Sequence, residues 1–195
     1  MLNDPAHVRE EYSDESRFSV RASAWANSTG PNTIKMCRAA VAEVSPRDVL
    51  EVGSGRGETA EWIARETGAK VVAVAAWMLY HVADLDRGLA ELRRVLRPNG
   101  RLVATTNSLR HGIELKELVG AKSQWNFNAE NGEEFLHRHF SAVERRDADG
   151  YAIFQPEDVV SYIQASKWLW NVGPIPQVDA PIRVTRANVV FVATR

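Results

Sequence analysis

The sequence lacks the features that would assign it to several classes of protein. Its single cysteine, Cys37, cannot form a disulfide within the chain, which fits a reducing, cytoplasmic compartment. The net charge of -1 gives no overall attraction to nucleic acid or to an anionic membrane. Residues 1–19 have no apolar core of a signal peptide, and the longest apolar run, Val71–Tyr80, is too short to span a bilayer. We therefore expect a cytoplasmic protein without nucleic-acid or membrane partners.

Groupings typical of metal sites and of hydrolases are also missing. No cluster of His, Cys, Asp and Glu has the spacing of a metal site, and no Ser/His/Asp or Cys/His grouping is evident. The sequence thus predicts neither a bound metal nor a nucleophilic triad. Its 195 residues are enough for one domain with a buried core, and 45% hydrophobic residues are typical of a globular protein.

What the sequence does contain is an α/β pattern. A short strand at 48–52, a glycine loop, a helix from about Glu58 and an apolar strand at 69–74 are the start of a parallel sheet. The other predicted elements are a polar arm at 1–20, helical from Asp4, helices at 33–44, 84–96, 113–119, 128–138 and 157–165, and strands at 101–106, 141–147, 151–154 and 182–194, the last interrupted near 186–187. This order predicts a Rossmann-like, doubly wound sheet, mostly parallel with antiparallel C-terminal strands and helices on both faces.

The residues with the clearest chemical meaning follow the first strand. Gly53, Gly55 and Gly57 occupy every second position, so the backbone can turn sharply and approach a ligand that a Cβ would exclude. The helix that begins next offers free N–H groups to an anion, and Glu51 at the strand end can bind an ammonium or a hydroxyl. A ligand with both a carboxylate and an ammonium, such as the methionine end of S-adenosylmethionine (SAM), matches this environment. Residues 55–60 also satisfy G-x-G-x-x-A, so a dinucleotide site remains an alternative.

The context of this motif resembles the class I SAM-dependent methyltransferase family of the small-molecule type. The first family motif, E/D-x-G-x-G-x-G, is matched by Glu51 and the three glycines. Residues 76–84 look like the fourth strand of the family and its turn, and residues 92–102 resemble the helix, Pro-Gly turn and fifth strand that follow. The resemblance covers residues 45–106 well and implies SAM as cofactor, S-adenosylhomocysteine (SAH) as product and a small-molecule methyl acceptor.

One departure from the family lies at residues 74–75. In the family, an acidic residue that holds the ribose ends the second strand, and a helix, a third strand and an adenine-contacting loop precede the fourth strand. Here Val74 runs directly into Ala75, which leaves no crossover between two parallel strands. The chain has either lost about 40 residues or is recorded without them. With a true deletion, residues 71–79 form one strand and half of the nucleoside pocket is gone.

The resemblance also assigns site residues. His81, after the fourth strand, is the candidate catalytic base for an acceptor hydroxyl. The candidate cofactor-binding residues are Glu51, Gly53, Ser54, Gly55, Gly57, Trp77, Met78 and Tyr80. His111 is a second candidate base, whereas His137 and His139 are expected at the surface and Cys37 in the core. Further candidates to cover the cofactor or line the acceptor pocket are Tyr12, Arg17, Arg21, Trp125, Phe127, Trp168 and Trp170.

Three functions stay open on this basis. The first is methyl transfer from SAM to an oxygen, nitrogen or carbon nucleophile of a small molecule. The second is a catalytically impaired remnant or binding module, and the third is a nicotinamide-dependent oxidoreductase. We expect residues 1–44 to form an arm or lid, 45–106 the cofactor core and 107–195 the acceptor side of one domain. Exposed aromatic residues near Trp168 and Trp170 would permit a homodimer.

Overall fold

The structure is a computed structural model that describes residues 4–46, 48–55, 57–66, 73–123, 125–167, 170 and 174–195. Its helices are α1 (Pro5–Glu11), α2 (Ser16–Ala24), α3 (Thr33–Ala42), α4 (Glu58–Glu66), α5 (Leu85–Val95), α6 (Ile113–Leu118), α7 (Gly132–His137) and α8 (Pro156–Ala165). Its strands are β1 (Leu50–Glu51), β2 (Ala73–Ala76), β3 (Arg101–Asn107), β4 (Ala142–Phe154) and β5 (Ile182–Thr194). No helix of these described ranges is long and apolar enough to cross a membrane.

The strands form one sheet in the order β1-β2-β3-β5-β4. The pairs β1-β2 and β2-β3 are parallel, whereas β5 runs antiparallel to both of its neighbours, β3 and β4. Buried side chains of β2 alternate between the two faces, because Ala73 and Ala75 join the core under α5 while Val74 joins the core under α3 and α4. This arrangement confirms the Rossmann-like sheet with helices on both faces and antiparallel C-terminal strands.

A single strand occupies the junction at residues 74–75. β2 crosses the junction and pairs with β1 on one side and with β3 on the other. Helix α4 lies between β1 and β2, and α5 lies between β2 and β3, so each parallel pair of strands has a helix in its connection. The described residues of these connections contain no further strand. The prediction of a separate strand ending at Val74 is wrong for this reason, although residues 69–72 lie outside the described ranges. β2 ends at Ala76 because Trp77 adopts a left-handed backbone with φ of 52°.

Most predicted helices are confirmed, and their local signals explain them. Asp84 caps α5 by accepting a hydrogen bond from the backbone N–H of Arg87. The leucine stripe of this helix is buried as expected at Leu85, Leu89, Leu92 and Leu96. In the N-terminal arm, Asp4 caps α1 in the same way through the N–H of Ala6. Such caps satisfy backbone groups that the first helical turn leaves unpaired.

Four details of the prediction are wrong. The spacing of apolar residues predicts a buried face of Ile34, Cys37, Val41 and Val44 in α3, but Ile34 is 40% exposed and Val44 lies beyond the helix end. In α4 the same reasoning predicts that Ala60 and Ile63 face inward, but only Ile63 of these two is buried. Helix α7 begins at Gly132 because the side chain of Asn128 forms a turn with the N–H groups of residues 130 and 131. Strands β4 and β5 are each continuous, without the interruptions expected near 149–150 and 186–187.

Candidate active site

The glycine loop after β1 has the backbone that its sequence requires. Gly53, Gly55 and Gly57 have φ angles of 72°, 52° and 76°, a region that other residues rarely adopt. A Cβ at Gly53 would lie 2.9 Å from the Cβ of Met78, whereas a Cβ at Gly55 or Gly57 would enter open space. The loop closes through a hydrogen bond from the Gly57 N–H to the Ser54 carbonyl. It therefore presents bare backbone toward an open side of the β1 edge.

Glu51 has one carboxylate oxygen satisfied and one without a partner. The backbone N–H of Ala60, in the first turn of α4, donates a hydrogen bond to the carboxylate. Oε2 is buried and has no hydrogen-bond partner in the described residues. Burial raises the pKa of Glu51 and outweighs the opposing effect of the Ala60 N–H. An unpartnered carboxylate oxygen at this edge is suited to an incoming cation or hydroxyl.

Trp77 and Met78 lie at the carboxyl end of β2, beside the loop. Met78 packs against Gly53, so the two segments are in contact. Trp77 keeps its left-handed backbone through a hydrogen bond from its N–H to the Thr105 carbonyl, and its indole N–H donates to Oδ1 of Asn107 at 2.9 Å. Strained backbone of this kind at a non-glycine residue costs energy and is concentrated at functional sites.

Tyr80 and His81 lie in a 3₁₀ turn, Leu79–His81, and face the N-terminal arm. The hydroxyl of Tyr12, at the end of α1, lies 3.2 Å from Nε2 of His81, and the two rings meet edge to face. Tyr80 is buried between His81 and Trp125, with ring centroids 4.5 and 5.9 Å away. The ring contacts of Tyr80 thus lie toward the arm and the loop before α7, and its cofactor role stays a prediction.

His111, the second candidate base, is held inside the protein. Its Nδ1 accepts a hydrogen bond from the backbone N–H of Ala187, and its ring stacks on Trp25 at 4.5 Å. Burial lowers the pKa of His111 to about 3, with smaller contributions from Lys116 and Arg186. Because Nδ1 accepts from the backbone, the neutral ring carries its proton on Nε2. This geometry favours a packing role over that of a base.

A polar network that the sequence did not reveal connects these groups. Oδ1 of Asn107 accepts hydrogen bonds from the Trp77 indole and from Nδ2 of Asn188 on β5. Asn188 also lies 3.4 Å from Nδ1 of His111 and 3.3 Å from Thr33. Asn107 ends an apolar strand, which is the same signal that singled out Glu51. Asn188 gave no such signal, because only the β3-β5 register brings it opposite Asn107.

A second cluster surrounds Trp125. Lys116 is nearly fully buried, its ammonium donates to the Leu109 carbonyl and to Oγ of Ser123, and Nζ lies 5.3 Å from the Trp125 ring centroid. Burial lowers the pKa of Lys116 to about 8 despite nearby Glu130 and Glu114. The indole N–H of Trp125 is buried without a hydrogen-bond partner in the described residues.

The remaining candidates divide between arm, core and surface. Arg21 donates to the Ala165 carbonyl at 2.6 Å, which attaches α2 to α8. Phe127 and Cys37 are core residues, and burial raises the pKa of Cys37 to about 11. His137 is exposed as predicted, and His139 lies 2.8 Å from Asp86.

Trp170 is 2% exposed, so the prediction of an exposed aromatic there is wrong, while Trp168 lies outside the described ranges. Trp170 is buried because its ring packs against Tyr162 within the core cluster under α6 and α8. Over the part of the chain that the structure describes, no group of His, Cys, Asp and Glu could hold a metal.

Comparison with known proteins supports this description. Residues 72–104 match the family described as "Methyltransferase domain". No curated protein matches the chain in sequence. A Bacillus halodurans protein assigned as a methyltransferase has a similar structure, with a TM-score of 0.56, 13% identity, and 83% of this chain and 98% of that chain covered. The YcgJ protein of Bacillus subtilis gives a TM-score of 0.51 at 12% identity, over 83% of this chain and 96% of that one.

Phosphoethanolamine N-methyltransferase 2 of Haemonchus contortus is similar over a longer part of this chain. That structure, solved with phosphomonomethylethanolamine and SAH, gives a TM-score of 0.56 at 15% identity. It covers 99% of this chain, which in turn covers 60% of that chain. The chain therefore shares the fold of these structures, as the resemblance drawn from the sequence predicts.

Proposed function

We propose that the chain binds SAM at the β1 edge and transfers its methyl group to a small-molecule acceptor held beneath the N-terminal arm. The observation that carries this proposal is the unpartnered Oε2 of Glu51 beside a loop of left-handed glycines. Within it, residues 1–44 act as the arm, 45–106 as the cofactor core and 107–195 as the acceptor side. The family match at 72–104 favours this function over a nicotinamide-dependent oxidoreductase.

The methionine end of SAM fits the residues present. An ammonium would satisfy the buried oxygen of Glu51, and the bare backbone at Gly55 and Gly57 leaves room for the carboxylate near the start of α4. When bound, SAM supplies an electrophilic methyl group on a sulfonium. The protein then needs mainly to hold the acceptor in line with that methyl, because orientation supplies much of the rate of a displacement.

The nucleoside end has less support. β1 is the edge of the sheet in the described residues, so no described strand lies beyond it to provide the acidic ribose partner that the family resemblance implies. We therefore expect weaker SAM binding than a complete pocket would give. The same observation supports the second candidate function, a binding module or catalytically impaired remnant that retains the fold.

Tyr12 and His81 supply the base for a hydroxyl acceptor. The Tyr12 hydroxyl lies 3.2 Å from Nε2 of His81, and in the tautomer with an unprotonated Nε2 this nitrogen accepts a hydrogen bond from the hydroxyl. For a hydroxyl acceptor, the Tyr12 oxygen would take the proton that the acceptor loses while the Tyr12 proton passes to Nε2 of His81; a SAM bound nearby would supply the methyl group by cleavage of its S–CH3 bond and leave as SAH. Such positioned proton transfer contributes about 10²–10⁴-fold to a rate.

The first test is calorimetric titration of the full chain with SAH, alongside a Glu51→Gln variant. Binding with one-to-one stoichiometry that weakens in the variant supports the proposed cofactor site. Incubation with SAM and a panel of hydroxyl, amine and carboxylate acceptors, followed by SAH release, then tests transfer. A folded chain that does not bind SAH contradicts the proposal. SAH binding with no SAH release from any acceptor favours the binding module.

A further inference from the structure

Strand β3 holds both the backbone and the side chain of Trp77. Trp77 has a left-handed backbone with φ of 52°, which is uncommon for an aromatic residue and costs free energy. Its backbone N–H donates to the Thr105 carbonyl, and its indole N–H donates to Oδ1 of Asn107, each at 2.9 Å. A residue keeps such a backbone only where its surroundings impose it. These two hydrogen bonds therefore fix Trp77 at both its backbone and its ring.

The amide of Asn107 has one orientation that satisfies its neighbours. Its Oδ1 accepts from the Trp77 indole and also from Nδ2 of Asn188, which lies opposite Asn107 in the β3-β5 register. An amide oxygen has two lone pairs, so these two donors occupy both of them. A reversed amide would place an NH2 group against two donors. The acceptor for the Trp77 indole thus points in one fixed direction.

The amide of Asn188 is fixed in turn. Asn188 is 5% exposed, and its Oδ1 accepts from the Thr33 hydroxyl at 3.3 Å. Its Nδ2 also lies 3.4 Å from Nδ1 of His111, the nitrogen that accepts from the Ala187 N–H. Hydrogen bonds therefore run from the first residue of α3 through β5 and β3 to the end of β2. Buried polar networks are rigid when their members are satisfied.

Trp77 follows β2 at the edge of the sheet where the proposed cofactor site lies. The parallel strands β1 and β2 end at this edge, and Met78 lies against Gly53 of the glycine loop. Open α/β sheets bind their ligands at the carboxyl ends of their strands. The Trp77 side chain is half-buried, because it packs against the core under α5 and remains partly accessible. This placement next to the glycine loop makes the indole a side wall of the proposed cofactor site.

Resting on the proposed function, we propose that Asn107 is a positioning residue for SAM that acts through Trp77. It holds the indole in one orientation before the cofactor arrives, so binding does not have to restrict a mobile side chain. Removal of this hydrogen-bond acceptor should weaken cofactor binding and raise the KM for SAM. The kcat at saturating SAM should change little, because Asn107 does not take part in the transfer step.

Calorimetric titration with SAH compares three variants of β3 with the native chain. Asn107→Leu removes the acceptor and should weaken SAH binding about tenfold, as expected for one lost hydrogen bond. Asn107→Asp keeps lone pairs for the same two donors and should regain most of the lost affinity. Thr106→Val is the matched control, because it removes a buried hydrogen bond to the Phe127 carbonyl in which Trp77 takes no part. An equal loss of affinity in Thr106→Val and Asn107→Leu overturns the inference.

A double-mutant cycle shows whether Asn107 acts through Trp77. Trp77→Phe removes the indole N–H and should itself weaken SAH binding. In this background Asn107→Leu should have no further effect on the affinity, because the hydrogen bond that it removes is already absent. A further tenfold loss would mean that Asn107 acts on the cofactor by another route, which overturns the inference.

The indole N–H resonance of Trp77 provides a measurement on the native chain. Its absence from the nitrogen-15 NMR spectrum of Trp77→Phe identifies it, and SAH should shift it. An unshifted resonance in a chain that binds SAH overturns the inference, even where Asn107→Leu does not fold. A folded native chain that does not bind SAH contradicts the proposed function and the inference with it. Native binding that Asn107→Leu leaves unchanged overturns the inference alone.

Discussion

The two halves of the sheet are built very differently. β1 and β2 contain 2 and 4 residues, and the glycine loop that follows β1 is exposed. β4 and β5 contain 13 residues each and pair along their whole length. The β1-β2 half, which contains the glycine motif, is thus the smaller and more exposed one. The larger β4-β5 half contains no recognised sequence motif.

This difference follows from what each half has to do. A loop that binds a ligand through its backbone must stay bare, so its sequence is restricted to glycine and is easily recognised. A pocket wall made of side chains can be built from many aromatic and polar combinations. The cluster of Tyr80, Trp125 and Lys116 is of this kind, because their contacts exist only in the folded chain.

The largest expected effect concerns Tyr12 and His81, the proposed base beside the β1-β2 half. Tyr12→Phe and His81→Gln should each lower kcat about 10²–10⁴-fold with a hydroxyl acceptor from the panel, because proton transfer is lost. The Kd for SAH should stay the same in both variants, since neither side chain is part of the glycine loop. His137→Gln on the exposed end of α7 is the control. An unchanged kcat in both variants would show that the acceptor needs no base.

The second effect concerns Glu51 in the proposed cofactor site. Glu51→Gln should weaken SAH binding by roughly 10- to 100-fold, the worth of a hydrogen bond to a charged group. Stability without SAH should not fall, because the variant replaces an oxygen that is buried and unpartnered. Glu61→Gln, exposed on α4, provides the matched control in calorimetry. Equal affinities of Glu51→Gln and the native chain would argue against ammonium binding at this carboxylate.

The third effect is the pH dependence of the unfolding free energy, which involves the buried His111. Burial lowers the pKa of His111 to about 3 in the folded chain, whereas the unfolded imidazole has its ordinary pKa of 6.5. Between these values the unfolded chain binds more protons, so stability is lost as pH falls from 6.5 toward 3. From pH 6.5 to 5 the loss amounts to about 2 kcal/mol for this one group.

Urea denaturation at several pH values checks this prediction. His111→Gln should flatten the pH dependence of the unfolding free energy between pH 5 and 6.5, even though the variant is less stable overall. His137→Gln should retain the native slope, because that imidazole is exposed in both states. A native slope in His111→Gln would mean that the imidazole is not buried in its neutral form.

The smallest effect compares two glycines of one loop. Gly55→Ala should cost about 1 kcal/mol through its left-handed backbone alone, because its Cβ enters open space. Gly53→Ala should cost more, since its Cβ also meets Met78 at 2.9 Å. Thermal unfolding of the two variants measures the difference. Equal losses would indicate that Met78 moves aside.

Sequence reasoning succeeded where one local signal was sufficient. The leucine stripe of α5 and the sharp glycine turn after β1 were both predicted from spacing and residue type. It failed where a local signal competed with long-range pairing. Gly150 suggested a turn, yet β4 runs through it because this glycine lets the Thr29 backbone approach, at 2.0 Å from where a Cβ would be.

The residues that contact Glu51 and His81 could not be predicted from the sequence either. Glu51 and His81 were named as candidates from their positions at strand ends. Their surroundings, an unpartnered oxygen in one case and the Tyr12 hydroxyl 69 positions away in the other, depend on how distant segments pack. Asn107 was not identified although it ends an apolar strand as Glu51 does, whereas Asn188 and Trp25 were not identified because neither belongs to a local motif.

By itself the sequence determined the class of fold and the backbone of the glycine loop, since helix periodicity and glycine backbone freedom are local properties. The tertiary structure decided how the junction at 74–75 is accommodated, because only pairing with β1 and β3 makes residues 73–76 a single strand. It also decided which aromatic and charged side chains meet beneath the arm. The hydrogen bond between Trp25 and Tyr162 is an example: the two residues lie more than a hundred positions apart, and no local pattern encodes their contact.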